Sequence, residues 1–319
     1  MTRRMRERGT ALLSVLLIVA VMAAIAATAL DRLGLSTRLA GNAAVATQGR
    51  QWLAMAEELA QARLVDAAQL SGGQQAAVLG VDRTIMLPDG QVVTARIEDA
   101  TNCFNVNSLV VRRQSGVLQS QARRVFQLRD LMVLIGFPES SALGLADAAA
   151  DAVDEDNYPR PSGAERMADG SPTPDRLLTT PDDLAGIAGM DAESWARLRP
   201  WLCALPEAEP SRINVETLSP DRAALLAMLA PEVIPLGDAT AQLEARPRGG
   251  YGSVVDFFKT GPLRGKSISG GQNQVAVETR FFRLVTRVGE GDGELQQEAL
   301  FSVVDGRARL HARRWTHAS

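Results

Sequence analysis

The residues best placed to do chemistry are carboxylates. Asp147, Asp151 and Asp154 stand at i, i+4 and i+7. A helix stacks that spacing on one face, where like charges repel. Asp156 follows, and Gly163-Ala164-Glu165 closes a loop downstream. Carboxylates converging on one loop suit a hard, oxygen-seeking cation such as Ca2+. The pattern is not an EF-hand, because no D-x-D-x-D-G run ends in a glutamate at the twelfth position. The alternative is a solvated acidic helix end running into an acidic loop.

The second reactive pair is Cys103 and Cys203, the two cysteines of the chain. Outside the cytoplasm an even pair is compatible with one disulfide, and two buried thiols is the other reading. A bond would tie together a loop of about 100 residues and stabilise it by several kcal/mol in the chain-entropy account. Catalysis finds little support. The two histidines, His311 and His317, lie at the extreme C-terminus. No G-x-S-x-G, C-x-x-C, H-E-x-x-H or glycine-rich phosphate loop occurs. The chain is therefore not expected to be an enzyme. With net charge −3 and one basic run, RARLHARRW, beyond the N-terminus, it does not have the charge pattern of a nucleic-acid binder.

These groups need elements to position them. Four arginines fall within residues 1–8, and Thr10 to Leu30 carries no charge. A run of that length spans a bilayer as a helix. The positive-inside rule puts residues 1–9 in the cytoplasm and the bulk of the chain outside. An ordinary secretory signal would have a shorter apolar core ending in a cleavage site, as Ala24-Ile25-Ala26 could supply. Helical composition continues, however, and one helix is expected over residues 10–69, about 90 Å long. Its second half is amphipathic, with Trp52, Met55, Ala56, Leu59 and Ala62 on the core face and Glu57 elsewhere. RTIML and QVVTARIED flank Pro88-Asp89-Gly90 as a hairpin. TNCFNVNSL (101–109) is polar and loop-like. Short helices are expected near 117–135, 140–153, 181–187, 191–203 and 219–230, with one more around 249–262. Residues 154–180 form a long loop, and long loops usually bind something. The end of the chain, from TRFFRLVTRV onward, is an antiparallel meander. The fold class is thus α+β: a long helix packed on a sheet of early hairpin and late meander, carrying a large all-α insertion.

The junction Arg8-Gly9-Thr10-Ala11-Leu12-Leu13, a basic leader ending in glycine before an apolar helix, resembles the type IV prepilin signal. The resemblance implies cleavage between Gly9 and Thr10 by a prepilin peptidase, then N-methylation. Pilins and most pseudopilins carry glutamate at the fifth residue after the cut; here it is Ser14. That departure is similar to the minor pseudopilin K family of the type II secretion system. GTALLSVLLIVAVM, CFNVNSL, DAVDEDNYP followed by GAE, PDDLAGIAGM, INVET and FFRLVTRV occur in the order of that family, over nearly the whole chain.

The resemblance implies a type IV pilin-like fold divided as follows: leader 1–9, transmembrane part 10–30, head 31–115, inserted helical domain 116–272, and C-terminal meander 273–319. It implies one or two Ca2+ ions in the insertion, held by Asp151, Asp154, Asp156 and Glu165. It places the chain in the bacterial inner membrane, with a periplasmic head, at the tip of the pseudopilus. The implied partners are the minor pseudopilins I, J and H and the inner-membrane assembly platform, with the secretin or an exoprotein as candidate contacts. The tip would initiate assembly for export across the outer membrane. A different reading remains beside it: PDDLAGIAGMDAESWARLRPWL and the following segment look like a helix-hairpin-helix. That motif would fit a membrane-tethered DNA-binding protein or minor pilin of a competence or type IV pilus system. Asp182, Asp183, Asp191 and Glu193 around the hairpin disfavour this.

Overall fold

The computed structural model describes residues 3–268, 271–289 and 294–317. Helix α1 (Arg3–Gln69) leads into the short helix α2 (Gly72–Val78), and β1 (Asp82–Met86) and β2 (Val92–Asp99) form the expected hairpin. The next stretch holds β3 (Phe104–Asn105), β4 (Val110–Arg112), β5 (Leu118–Ser120), α3 (Ala122–Leu134), α4 (Glu139–Asp151), α5 (Ala192–Leu198), β6 (Leu202–Cys203), β7 (Ile213–Asn214), α6 (Ala224–Ala227), α7 (Leu236–Glu244), α8 (Val254–Phe257) and β8 (Val275–Ala276). The meander follows as β9 (Phe281–Val288), β10 (Leu295–Val304) and β11 (Arg307–His317). The sheet order is β1-β2-β9-β10-β11. The early hairpin and late meander therefore join through the antiparallel β2–β9 ladder, Thr94 opposite Arg287 through Asp99 opposite Phe282. Everything between Asp99 and Phe281 is an insertion between adjacent strands.

Helix α1 has two parts. Leu12 to about Val45 is exposed, and it contains the apolar span long enough to cross a membrane. The second part packs on the sheet with Trp52 and Ala56 of the expected face, while Met55, Leu59 and Ala62 of that face stay outside. Leu53, Ala56, Ala60, Leu64 and Ala67 are buried, whereas Met55 and Leu59 are 38% and 51% exposed and Ala62 is exposed. Two apolar rows run along the helix, and side-chain size decides between them. Ala60 lets the helix approach Phe282 and Phe301, and Ala56 lets it approach Val93 and Val288, where a side chain as bulky as Met55 or Leu59 would hold it off. Gly49 serves the same end: a Cβ there would run into Leu295. Glu57, expected off the core face, is buried in this interface. It accepts from Arg313 Nε at 2.9 Å and Nη2 at 2.6 Å, and from the Gln297 amide.

The insertion has its own core, which runs from Phe104 to Val275. Phe104, Val106, Leu109 and Val110 therefore pack with the helical body, so its core begins upstream of the expected residue 116. TNCFNVNSL is not a solvated loop: residues 103–110 are buried. Its asparagines replace a backbone ladder. Asn105 Nδ2 donates to the carbonyls of Glu207 and Glu209, and its Oδ1 accepts from the Leu205 amide. Asn107 donates to Leu178 and Leu205 and accepts from Leu178. A buried amide side chain is tolerated where its donors and acceptor are matched in this way. Three two-stranded pairs, β3–β6, β4–β5 and β7–β8, join the helices. The helix expected from 117 begins only at Ala122, because Gly116 turns the chain into the β4–β5 hairpin at φ +88°. Helix α7 has no counterpart among the expected segments.

The neck converges on Asp99. Its Oδ2 accepts from Asn214 Nδ2 at 3.0 Å, Thr217 Oγ1 at 2.6 Å and Thr279 Oγ1 at 2.6 Å. Its Oδ1 accepts from the Thr101 amide at 2.8 Å. Asp99→Ala strands these donors, and each lost bond to a charged acceptor is worth about 1.5–3 kcal/mol. We expect a loss of roughly 2–4 kcal/mol in urea unfolding. An unchanged midpoint would refute the role of Asp99 at the neck.

Candidate metal centre

Helix α4 ends at Asp151, and a further turn follows in which the Asp154 amide donates to the Ala150 carbonyl. Asp151 and Asp154 thus both sit at the negative end of a helix, where carboxylates are disfavoured and cations favoured. The long loop returns Glu165 to the same place. Ligand oxygens of Asp151, Asp154 and Glu165 lie within 4.8 Å of one another.

Asp147, on the same helix face, is separate from this group. It accepts from Arg160 Nε at 2.7 Å and from the Ser162 amide at 3.2 Å, so its charge is answered within the protein. Among the described residues Asp151 accepts from backbone donors, including the Arg160 amide at 3.1 Å. Gly163 makes this packing possible, since a Cβ there would collide with Asp151 Oδ2. Asp156 stands beside the three-carboxylate group, half-buried, with Oδ1 accepting from the Tyr158 amide at 2.9 Å. Its charge reaches both Asp154 and Glu165. Two contributors escaped the sequence reading. Ser120, at the end of β5, hydrogen-bonds Asp154. Asp175, ten residues past Glu165 in the same loop, adds negative charge beside it. An acidic residue in P-T-P-D was the signal available for it.

The electrostatics are those of carboxylates crowded together without a matching cation. Burial pushes Asp151 up to about 6, helped by the neighbouring charge of Asp147. Burial and then Asp156 push Asp154 up to about 7. Burial, Asp151 and Asp175 push Glu165 up to about 7. Asp154 Oδ1, Glu165 Oε1 and Asp175 Oδ1 are buried without a hydrogen-bond partner. Orphaned acceptors of this kind are rare in folded proteins, and an all-oxygen, anionic donor set fits Ca2+ better than a thiolate-seeking metal.

The cysteines are joined as a disulfide with Cα atoms 5.7 Å apart. Cys103 lies just beyond β2, and Cys203 sits in β6, which pairs in parallel with β3. The bond therefore staples the entry strand of the insertion to its middle, at the neck. The hairpin-like segment 181–203 is a 3₁₀ turn, Pro181–Leu184, followed by α5. Its Asp182 accepts from both Arg199 and Arg314, and the Arg199 guanidinium holds its carboxyl down near 2. The expected cleavage junction, Gly9 and Thr10, lies within α1 but outside the residues whose side chains are described. Ser14 is on the exposed surface of α1.

The raised carboxylates set a pH dependence. A carboxyl raised in the folded state stabilises it below the ordinary carboxylate range, and that contribution is lost as pH rises through the folded value. In chelator, Tm is expected to fall between about pH 4.5 and 7.5 as these groups ionise. Added Ca2+ should raise Tm at pH 7.5. Asp154→Asn should abolish that rise while leaving the chelated protein as stable as before, or more so. A Tm indifferent to Ca2+ would rule out the cation.

Two family profiles, each described as Type II secretion system (T2SS), protein K, match residues 102–207 and 213–278. The chain is 30% identical to the Type II secretion system protein K of Pectobacterium carotovorum subsp. carotovorum, over 98% of this chain and 97% of the relative. It is 33% identical to the protein of that name from Klebsiella pneumoniae, covering 92% of each. Its fold is similar to a chain in the crystal structure of the GspK-GspI-GspJ complex from the enterotoxigenic Escherichia coli type 2 secretion system. The TM-score is 0.71 at 22% identity, covering 85% of this chain and 97% of that one. The long helix on an antiparallel sheet, the helical insertion and the sequence likeness together make this chain a member of the protein K family of the type II secretion system, the minor pseudopilins.

Proposed function

We propose that the chain is the tip subunit of the pseudopilus, where it initiates assembly with the minor pseudopilins I, J and H. The observation that carries this reading is the position of the insertion. It leaves the sheet between its second and third strands and returns there. A body of this size hung on the head suits a subunit that occurs once, at an end, better than one repeated along a packed shaft. Ser14 supports the same reading. The glutamate that pilins and most pseudopilins carry at that place answers the N-terminal ammonium of the neighbouring subunit, and unpaired charge in hydrocarbon is costly. A subunit with serine there cannot receive a neighbour above it in this way. The exposed row of Met55 and Leu59 continues the apolar surface of α1, and supplies a face for neighbouring helices.

In this reading the leader is cut between Gly9 and Thr10 by the prepilin peptidase and the new N-terminus is methylated. Before assembly, α1 holds the protein in the inner membrane with its N-terminus cytoplasmic and its head periplasmic. The inner-membrane assembly platform then moves it out. One or two Ca2+ ions bound by Asp151, Asp154, Glu165 and the adjoining Asp156 would offset the repulsion among these carboxylates and order the loop that carries them. The tip would contact the secretin or the exoprotein, and the work is mechanical, with no catalytic step and no nucleic-acid partner.

Co-expression of the full chain with the I and J pseudopilins of its own system is expected to give a ternary complex that survives gel filtration. Failure to recover any such complex would defeat the tip assignment. Mass spectrometry of the membrane-extracted protein should find an N-terminus at methylated Thr10, and an intact Met1 would overturn the processing step.

A further inference from the structure

A cleft of about 910 Å³ separates the face of the sheet turned away from α1 from the inserted body. That is within the size range of ligand sites. Six arginines line it: Arg96, Arg283 and Arg314 from the sheet, and Arg199, Arg222 and Arg246 from the insertion. Four already have carboxylate partners. Arg96 pairs with Asp82 at 2.6 Å and Arg283 with Glu98 at 2.8 Å, and Arg199 and Arg314 share Asp182. Arg222 and Arg246 have no ion pair among the described residues, and the Nε of each is buried without a partner.

The two differ in what surrounds them. Arg246 has the buried Glu216 carboxylate acting on it. Arg222 has carbonyls only, donating through Nη2 to Pro200 at 2.8 Å and to Asn102 at 3.4 Å. Its guanidinium lies 4.8 Å over the ring of Trp201, which holds the plane in place. The carbonyls engage Nη2, leave Nε without an acceptor and form no ion pair. Burial disfavours the guanidinium charge, and although the adjacent Asp221 relieves it, Arg283 across the cleft disfavours it further. Arginine does not escape by losing its proton.

We propose that this cleft binds a peptide through one carboxylate, received by the Arg222 guanidinium. The unmet demand is a single positive charge. Glu98, Asp99, Glu216 and Glu298 in the same walls would repel a dianion such as phosphate, whereas a monoanion with two oxygens matches a planar fork. Leu202, Leu205 and Leu300 line the cleft as well, and provide apolar contact for residues flanking the carboxylate. The carboxylate can come from an acidic side chain or from a chain terminus.

The test is calorimetric titration of the full chain in detergent with three peptides: acetyl-Leu-Ala-Glu-Ala-Leu-amide, its glutamine counterpart, and acetyl-Leu-Ala-Ala-Ala-Leu with a free C-terminus. Binding of the first or the third identifies the source of the carboxylate. The glutamine peptide is expected to bind roughly tenfold more weakly or not at all, the cost of one charge-assisted pair. Arg222→Met should abolish the binding. Arg222→Lys, which keeps the charge and loses the fork, should weaken it and guards against a folding defect in the first variant. Arg307→Met, outside the cleft, should leave it unchanged. Binding of the glutamine peptide as tight as that of the tighter carboxylate peptide, wild-type binding by Arg222→Lys, tighter binding of inorganic phosphate or of a single-stranded oligonucleotide, or no heat with either carboxylate peptide would overturn the proposal.

Discussion

The structure depends on closing one sheet across a very long excursion of the chain. β2 and β9 are neighbours in space and separated in sequence by the whole inserted body. Bringing them together carries a loop-closure cost that grows slowly with length, so the length itself is tolerable. The harder requirement is to hold the two crossing points side by side. Asp99 does this with one carboxylate. It takes hydrogen bonds from Thr101, where the chain leaves, from Thr279, where it returns, and from Asn214 and Thr217 in the insertion. The Thr279 amide is also bound by Gln75 of α2, so the neck is fastened to both sides of the sheet.

From the neck a continuous set of polar contacts leads to the acidic loop. Asn102 pairs with Asn214, Asn105 with Leu205, and Asn107 with both Leu205 and Leu178. Leu178 lies in the loop that also carries Glu165 and Asp175. The Cys103–Cys203 bond runs through the middle of this set. A cation at Asp151, Asp154 and Glu165 would therefore order a segment whose far end is bonded to the neck. The burial that raises these carboxyls is the same packing that connects them to the rest of the protein.

Charge is handled differently in the two bodies. Between α1 and the sheet, Glu57 and Arg313 are matched at close range, with Gln297 completing the set. Removing one partner of such a pair leaves an uncompensated buried charge, which ties the rotation of α1 to one setting on the sheet. In the insertion the carboxylates near Asp154 exceed the cations available to them, and in the cleft Arg222 has no ion-paired anion among the described residues. The buried carboxylate under α1 is matched, whereas the insertion has charged groups left over, of opposite sign, at two places.

Patterns local in sequence determined much of this protein. The uncharged run of α1, the Pro88-Asp89-Gly90 hairpin, the glycine-linked meander and the acidic spacing at 147, 151 and 154 each depend on residues within a few turns of one another. Local propensity and periodicity are enough to place them, and the order of segments was enough to show the family. Tertiary structure decided everything that depends on what faces what. It chose Leu53, Ala56, Ala60 and Leu64 over Met55 and Leu59, with Ala60 and Leu64 against Phe282 and Phe301 and with Leu53 and Ala56 against Val93 and Val288. It buried the asparagines of TNCFNVNSL, whose partners lie about 70 to 115 residues away, and so could not be seen from their neighbours. It withdrew Asp147 from the acidic group by giving it Arg160, and drew Asp175 toward it. Periodicity reports that a face is apolar or acidic. Which groups on that face find partners is set by contacts between residues distant in the chain.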